Sequence, residues 1–403
     1  MKPLEGIRIA DFSHVMAGPY ASHLLHLLGA EVIKVESPGR GDAMRYYGYD
    51  RRYDGMSPAF IGVNAGKKSI VLNLKKKSAI AAAKKLVETS DVFLENFRPG
   101  VIKRLGLGYD VCKGLSPGIV YCSVSGYGQT GPLRDWPAID NIVQATSGMM
   151  SLSGEKDGDW MRVGFPAVDT ITGQLAAYAI LAALFRRQKT GEGDYIDVAM
   201  LDSSLAFMTA AVVPFLVTGK TMPRTGNTGY SGQPTTGLFT GSDGKQVSLG
   251  VVQQGQFEAL ARYLGREDWI NDPRYETSDL RLANSNDLKA ELAQVIKTRK
   301  AEEWEEGMSA VNIPCGMVRD VSEAVCFPHL DQRGLKIPVT LPENIPPSPN
   351  GNPQIMNAGF IMGNDGPGVD GELPEHGAHT KPVLAMLGYS EKEINEIIDG
   401  AGD

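Results

Sequence analysis

The chain has only four cysteines in 403 residues, and no two of them form a C-x-x-C pair. This scarcity excludes a disulfide framework and the usual zinc patterns, so we expect reduced thiols, no bound metal and a cytoplasmic location. Long hydrophobic runs are also lacking. The most apolar run, residues 175–185, is followed by Arg186-Arg187 and is too short to span a bilayer. The first residues carry no apolar leader or lipidation signal, and we expect no membrane partner.

Positive charge is not in excess. Forty lysines and arginines stand against 47 aspartates and glutamates, which gives a formal net charge of −7. This balance disfavours nucleic acid as a partner, although a small anionic ligand needs only a few local cations. At 403 residues the chain is long enough for two or three domains, each with its own core.

Short apolar segments alternate with helical patterns in the first part of the chain. The strands are predicted at residues 7–12, 31–36, 69–74, 91–95 and 118–124, with helices at 20–28, 79–89 and 101–105. This alternation favours an α/β fold with a parallel, Rossmann-like sheet. A G-x-G-x-x-G fingerprint is absent from the first strand–helix turn, so the pattern does not indicate a nicotinamide or flavin cofactor.

The composition changes after residue 217. A long apolar helix is predicted at 170–187, a strand at 195–200 and a second apolar helix at 201–216, before a Gly/Thr/Pro-rich stretch at 218–236. Beyond it we predict a strand at 245–252 and helices at 254–264, 289–300 and 390–399, with an extended Pro-rich segment at 338–353. We expect a large domain in residues 1–200, a smaller α+β domain in 225–325 and a C-terminal segment, 330–403, that returns to the large domain.

Asp169 is the strongest local candidate for chemistry, because it directly precedes the predicted helix 170–187. One interpretation is a helix N-cap. The other uses the same geometry: backbone N–H groups at a helix start favour an anion, and a carboxylate held there can act as a covalent nucleophile. The local sequence leaves both interpretations open.

Two other patterns also have two interpretations each. Lysines at 67–68 and 75–77 are either solvated or part of an anion site, whereas Arg98 and Arg104 follow a predicted strand end, where α/β sheets bind ligands. The segment Thr228–Pro234 is either a flexible linker or a mobile loop that closes over a reactive intermediate.

Several short motifs together resemble the class III CoA-transferases, the family of formyl-CoA and carnitine CoA-transferases. The motifs are Pro3-Leu4-Glu5-Gly6-Ile7-Arg8, Ala17-Gly18-Pro19, the segment 28–36, Glu95-Asn96-Phe97-Arg98-Pro99-Gly100, the segment 105–109, the segment 125–132 and Thr190-Gly191-Glu192-Gly193. Near the end, Gly377-Ala378-His379-Thr380 resembles the family's Gly-Glu-His-Thr. The resemblance extends from residue 3 to about 395, and the order and spacing of the motifs make it specific.

The resemblance implies a Rossmann-like large domain built from both chain ends, a small domain, and two identical subunits interlocked like chain links. It implies that Asp169 is catalytic and that Asp140 is an acidic position beside it. The segment Gly232-Gln233 matches the end of a glycine-rich lid, here preceded by Tyr230 and Ser231. The residues that match the CoA-binding region are Met16, Ala17, Leu72, Lys75, Asn96, Phe97, Arg98 and Arg104. Asp140 is also assigned to this region.

The implied activity is transfer of CoA from an acyl-CoA donor to a carboxylic acid through an aspartyl anhydride and an aspartyl–CoA thioester. CoA thioesters are then substrates, and no permanently bound cofactor is expected. Succinyl-CoA and a dicarboxylate are the expected pair, because many members of the resembled family use such pairs. Met16 replaces a glutamine of the formyl/oxalate enzymes, which argues against oxalate as the acceptor. Two alternatives stay open: a 2-methylacyl-CoA racemase of the same fold, and a non-catalytic acyl-CoA-binding protein. Against the racemase, its Gly-His-Asp triplet corresponds here to Ala138-Ile139-Asp140, although His14 remains a candidate base.

Overall fold

The computed structural model describes residues 1–343, 345–349, 351 and 353–399. The chain forms two compact units, which are Met1–Met149 with Val163–Val213 and Pro328–Asp403, and Met150–Arg162 with Pro214–Phe327. Residues 150–162, which the sequence analysis placed in the large domain, belong to the second unit. The reason is local bonding: Glu155 accepts a hydrogen bond from Asn227, and Arg224 donates to the Lys156 carbonyl.

A six-stranded sheet forms the centre of the first unit. Its strands are β1 (Arg8–Asp11), β2 (Glu31–Glu36), β3 (Lys68–Val71), β4 (Val92–Glu95), β5 (Val120–Ser125) and β6 (Asp194–Ala199). They lie in the order β3-β2-β1-β4-β5-β6, and every neighbouring pair is parallel. This is the doubly wound order, so the predicted α/β class with a Rossmann-like sheet is confirmed.

Helices cover both faces of this sheet. The α-helices of the chain up to residue 218 are α1 (Ala17–Leu27), α2 (Pro58–Asn64), α3 (Lys77–Glu88), α4 (Val101–Arg104), α5 (Tyr109–Leu115), α6 (Asp140–Thr146), α7 (Ala167–Thr190), α8 (Met200–Phe207) and α9 (Thr209–Thr218). Buried side chains of α1 and α7 pack on one face. The other face is covered by α3, α5 and two C-terminal helices whose core residues include Leu384 and Ile394.

The second unit is an antiparallel sheet with helices around its own core. The strands β7 (Thr236–Thr240), β8 (Gln246–Gly250) and β9 (Cys315–Met317) pair in that order. The helices are α10 (Gln254–Tyr263), α11 (Ser278–Ala283), α12 (Ser285–Ile296), α13 (Ala301–Ala310) and α14 (Val321–Ala324). Trp269 and Trp304 are almost fully buried between them.

The chain returns to the first unit after residue 327. This part contains α15 (Pro328–Gln332), the antiparallel pair β10 (Lys336–Pro338) and β11 (Gln354–Met356), α16 (Thr380–Met386) and α17 (Glu391–Asp399). The predicted Pro-rich segment 338–353 and the predicted domain end at 403 fall partly outside the described residues, at 344, 350, 352 and 400–403.

Several predicted helix boundaries are wrong. The helix expected from residue 170 begins at Ala167, so Asp169 lies inside its first turn and is not an N-cap. The helix expected at 201–216 is broken at Met208 into α8 and α9, which meet at 80°. The helix expected at 289–300 is α12, which begins four residues earlier and ends at Ile296, after which Lys297 closes it as its C-cap.

Among the described residues, α7 is long and apolar enough to cross a membrane by length and composition, and α8 with α9 passes the same test as a bent pair. The sequence analysis judged the apolar run in α7 too short because it counted only the uncharged core of a 24-residue helix. Ala176, Ile180 and Leu184 of α7 are buried against β-strand and α1 side chains. Those contacts are typical of a core helix in an α/β unit.

Candidate active site

The first turn of α7 presents the Asp169 side chain. Pro166 is the N-cap residue and makes no side-chain capping bond, and Asp169 is the third helical residue. Its side chain is partly buried, and no hydrogen-bond partner for its carboxylate occurs within the part of the chain that the structure describes. The carboxylate oxygens therefore remain available to attack an electrophile.

Asp140 supplies the missing cap from another helix. Its Oδ2 accepts the backbone N–H groups of Val168 at 2.8 Å and Asp169 at 3.0 Å. Gln144, one turn further along α6 and fully buried, donates to Asp140 Oδ1 at 2.6 Å and accepts the Val163 N–H at 2.8 Å. The pair thus fixes the start of α7. The sequence analysis did not find Gln144, although its i+4 spacing from Asp140 was a signal.

The environment of Asp169 disfavours its charged form. Burial, and then the negative charge of Asp140, raise the pKa of Asp169 to about 7. The helix N-terminus was expected to favour the anion, but these two effects outweigh it. A carboxylate that has lost its water shell is a stronger nucleophile than a solvated one, so the same environment that raises the pKa favours attack once the group is ionised.

The loop after β1 lies beside the same helix. Gly173 is one turn beyond Asp169, and a Cβ placed on it would lie 2.6 Å from the Ala17 carbonyl oxygen. Only glycine permits this approach, which brings the predicted contacts Met16 and Ala17 next to the turn after the nucleophile. The Gly173 N–H is not free to stabilise an oxyanion, because an interior helical N–H is bonded to the carbonyl four residues earlier.

The strand-end residues after β4 contact this loop. Asn96 exchanges two hydrogen bonds with the His14 backbone, accepting from its N–H at 2.9 Å and donating to its carbonyl at 2.7 Å. The Phe97 and His14 rings lie 5.2 Å apart. Glu95, buried just before them, accepts the Phe97 N–H at 2.8 Å, and burial raises its pKa to about 7. Asn96 and Phe97 therefore contact the loop that also carries Met16 and Ala17.

A cationic pocket of about 500 Å³ opens between α3 and α4. It is lined by Leu74, Lys75, Lys76, Lys77, Ile80, Ala81, Lys84, Arg104 and Leu105, with no acidic side chain among them. Lys75 and Arg104 thus line the same pocket. Leu72 is only 1% exposed, and its side chain belongs to the core under α3. Arg98 is exposed outside this pocket.

Arg134 joins Arg104 at the edge of this region. A Cβ built on Gly100 would lie 3.1 Å from Arg104 Nη1 and 3.5 Å from Arg134 Nη2. The Arg134 Nε is buried and has no hydrogen-bond partner within the described residues. Two guanidinium groups close to one point form a natural anion site. The sequence analysis missed Arg134 because it follows the glycine-rich segment 125–132 without a motif of its own.

The predicted lid residues lie in the second unit. Gly232 has φ +70°, a conformation that favours glycine. Gln233 is 4% exposed, and its Nε2 donates to Ser278 Oγ at 2.7 Å at the start of α11. Within the described residues no cluster of three or more His, Cys, Asp or Glu side chains has a metal-binding arrangement.

Comparisons with known proteins identify the family of the chain. The sequence profile of CoA-transferase family III matches residues 4–380. The chain is 37% identical over 388 residues to an acetyl-CoA:oxalate CoA-transferase from Acetobacter aceti, covering 95% of this chain and 96% of that protein. It is 36% identical over 403 residues to a succinyl-CoA:glutarate CoA-transferase from Mus musculus, covering 99% and 89% of the two chains.

A solved structure supports the same assignment. A CAIB/BAIF family protein from Brucella suis superposes with a TM-score of 0.85 at 29% identity, over 96% of this chain and 99% of that one. The chain belongs to CoA-transferase family III and is a CoA-transferase enzyme.

Proposed function

We propose that this enzyme moves CoA from an acyl-CoA donor to a carboxylic acid acceptor, with Asp169 as the covalent nucleophile. The observation that carries the proposal is the arrangement of the α7 first turn. Asp140 fixes the backbone of Val168 and Asp169, while the Asp169 carboxylate itself stays unbonded within the described residues and partly desolvated. The family membership supplies the class of reaction.

Asp169 first attacks the thioester carbonyl of the donor. The C–S bond breaks, CoA leaves as thiolate, and an acyl–aspartyl anhydride forms. The thiolate then attacks the aspartyl carbonyl, which releases the donor acid as a carboxylate and leaves an aspartyl–CoA thioester. The acceptor carboxylate attacks this thioester in turn, giving a second anhydride and thiolate, and attack of the thiolate on the acceptor carbonyl releases the new acyl-CoA and the Asp169 carboxylate. No proton is gained or lost over the cycle, and each exchange keeps one carbonyl activated.

The cationic pocket is suited to the phosphate-bearing end of CoA. Lys75, Lys84 and Arg104 offer positive charge, and Ile80 and Leu105 offer apolar surface for an adenine ring. Arg134 lies beside Arg104 and adds a second guanidinium for the diphosphate. Asn96, Phe97, Met16 and Ala17 then line the path from this end towards Asp169, and we propose that Gly232 and Gln233 belong to the lid that excludes water.

For the substrates we propose succinyl-CoA as donor and a dicarboxylic acid as acceptor. One similar enzyme is named for succinyl-CoA and glutarate and the other for oxalate, so a dicarboxylate is common to both names. A racemase reaction has less support here. Asp140 accepts three hydrogen bonds and thereby holds α7, and neighbouring Ile139 has no group that exchanges a proton.

We also propose a cytoplasmic, interlocked homodimer. None of the ten residues of α9 is buried, although the helix is almost entirely apolar. Leu216 and Val217 are 72% and 77% exposed, and such surface on a folded chain marks an interaction site. A second copy of this chain is the occupant that the family resemblance implies.

A mass-spectrometric panel of acyl-CoA donors against carboxylic acids tests the activity. We expect new acyl-CoA only when an acceptor acid is present, with succinyl-CoA and glutarate among the productive pairs and oxalate as a comparison. Hydroxylamine added during turnover should convert Asp169 to a hydroxamate, and this should be detectable in the peptide that contains residue 169. Deuterium incorporation at the α-carbon of a 2-methylacyl-CoA without acceptor would instead identify a racemase.

A further inference from the structure

Buried charged side chains fix the loop between β1 and α1 on both sides. The Ser13 carbonyl accepts a hydrogen bond from Lys34 Nζ at 2.8 Å. The Val15 N–H donates to both carboxylate oxygens of Asp42, at 3.0 and 3.2 Å. With the two bonds from Asn96 to His14, three consecutive residues of the loop are held through their backbone.

Val15 adopts a conformation that its side chain disfavours. Its φ is +65°, in the left-handed region that β-branched residues rarely enter. Such a conformation persists only where surrounding contacts impose it. The Val15 N–H donates to the Asp42 carboxylate, and this hydrogen bond offsets the free-energy cost of the strained conformation of Val15.

Asp42 is itself immobilised. It is 3% exposed and its Oδ2 lies 2.8 Å from Nζ of Lys34, which is fully buried. Its own N–H donates to Glu36 Oε2 at 2.9 Å, and its Oδ1 accepts the Met44 N–H at 2.9 Å. Since Lys34 also holds the Ser13 carbonyl, one ion pair fixes both sides of the loop.

We propose that Asp42, together with Lys34, is a positioning residue for acyl-CoA: it imposes the left-handed conformation on Val15 and so determines where Met16 and Ala17 lie beside Asp169. This inference rests on the proposed function, in which Met16 and Ala17 contact the substrate. The Ala17 carbonyl faces Gly173, one turn from Asp169, so a loop that relaxes at Val15 moves the thioester away from the nucleophile.

A double-mutant cycle with Val15→Gly tests the proposal. Asp42→Ala should lower kcat/KM for acyl-CoA about 100-fold, the loss expected from a misplacement of about 1 Å. Glycine adopts φ +65° without strain, so the same Asp42→Ala change in a Val15→Gly background should cost at least about ten-fold less. A role confined to fold stability would give the same loss in both backgrounds, and that result would overturn the proposal.

Two further variants keep the result interpretable. Asp50→Ala removes a similar side-chain bond, in which Asp50 accepts the Arg52 N–H at the start of the short 3₁₀ helix Arg51–Tyr53, and should leave kcat/KM unchanged. If Asp42→Ala does not fold, Asp42→Asn carries the cycle, and full activity of that variant overturns the proposal. Calorimetric measurement of the CoA affinity of the same variants gives a second double-mutant cycle that does not depend on turnover. If the proposed reaction is wrong, the wild-type protein binds CoA without transferring it, and the affinity cycle still tests the role of Asp42.

Discussion

At the scale of single residues, Asp169 combines two properties that usually conflict. A nucleophilic carboxylate has to be ionised, but burial and Asp140 raise the pKa of Asp169 to about 7. The bonds from Asp140 go to the backbone of Val168 and Asp169 and not to the carboxylate. The site therefore keeps the geometry of the helix start and leaves the attacking oxygens unbonded within the described residues.

This pKa predicts the pH dependence of transfer. Only ionised Asp169 attacks, so kcat/KM should rise about ten-fold per pH unit below 7 and level off above it. The measurement is initial-rate kinetics with a fixed donor and acceptor between pH 5 and 9, with enzyme stability checked at each pH. A profile that stays flat down to pH 5 would show that Asp169 titrates with an ordinary pKa.

The same shift predicts that the nucleophile destabilises the fold. Because the folded-state pKa of Asp169 lies above the ordinary aspartate value of 3.8, ionisation of Asp169 lowers stability as the pH rises from about 4 to 7, and the cost is complete above 7. Asp169→Asn should abolish transfer and raise the free energy of unfolding at pH 8 by about 4 kcal/mol, with no gain at pH 4. Asp110 is an exposed acidic residue in the first turn of α5, and Asp110→Asn should not raise the free energy of unfolding.

Arg134 offers a test of CoA recognition. Its side chain lies beside Arg104 and has a buried nitrogen without a partner in the described residues. Arg134→Ala should raise KM for acyl-CoA about ten-fold with little change in kcat, because a charge-assisted bond to phosphate is lost. Arg262→Ala, in α10, removes an arginine paired with Glu258 and is the matched control. Equal KM values for the two variants would exclude a role of Arg134 in CoA binding.

At the scale of elements, the approach of α1 to α7 sets the distance between the β1–α1 loop and Asp169. Gly173 allows the Ala17 carbonyl to reach the surface of α7. Any side chain at position 173 has to push the two helices apart, since its first atom would meet backbone and not a flexible side-chain end.

Gly173→Ala measures this approach. The new Cβ would lie 2.6 Å from the Ala17 oxygen and 3.0 Å from Tyr20 Cδ1, so we expect a loss of about 1–3 kcal/mol in stability together with lower kcat/KM. Gly114→Ala, in α5, is the matched control because no atom lies within 4 Å of its added Cβ. If both variants are equally stable and active, the close approach of the Ala17 carbonyl to Gly173 contributes to neither stability nor activity.

The strands and most helices of the first unit followed from local sequence, because apolar strands alternate with amphipathic helices up to residue 125. The sequence did not reveal the true start of α7, since Pro166 and Ala167 carry no capping signal. Nor did it reveal the break at Met208, which is marked by neither glycine nor proline. The Asp140–Gln144 contacts join residues up to 29 positions apart, and the Asp42–Val15 contact spans 27, so neither appears in a local pattern.

At the scale of the whole molecule, the exposed apolar surface of α9 predicts that the chain forms a dimer. An apolar helix with no buried residue needs a covering partner. Light scattering at low micromolar concentration should give twice the chain mass of 43.4 kDa, unchanged on ten-fold dilution, because interlocked chains cannot separate without unfolding. An active species at the mass of one chain would refute the interlocked dimer.

The first unit is also discontinuous in sequence, and this affects how it can be made. Leu384 and Ile394, near the end of the chain, complete the core that begins with Ala10 and Ile33. A ribosome synthesises the chain from its N-terminus, so the part of this sheet face that the two C-terminal helices cover stays open while the whole second unit is translated. That face closes only after the last helices have left the exit tunnel. Premature termination before residue 380 would thus release a chain with exposed core side chains, a natural substrate for chaperones and proteases.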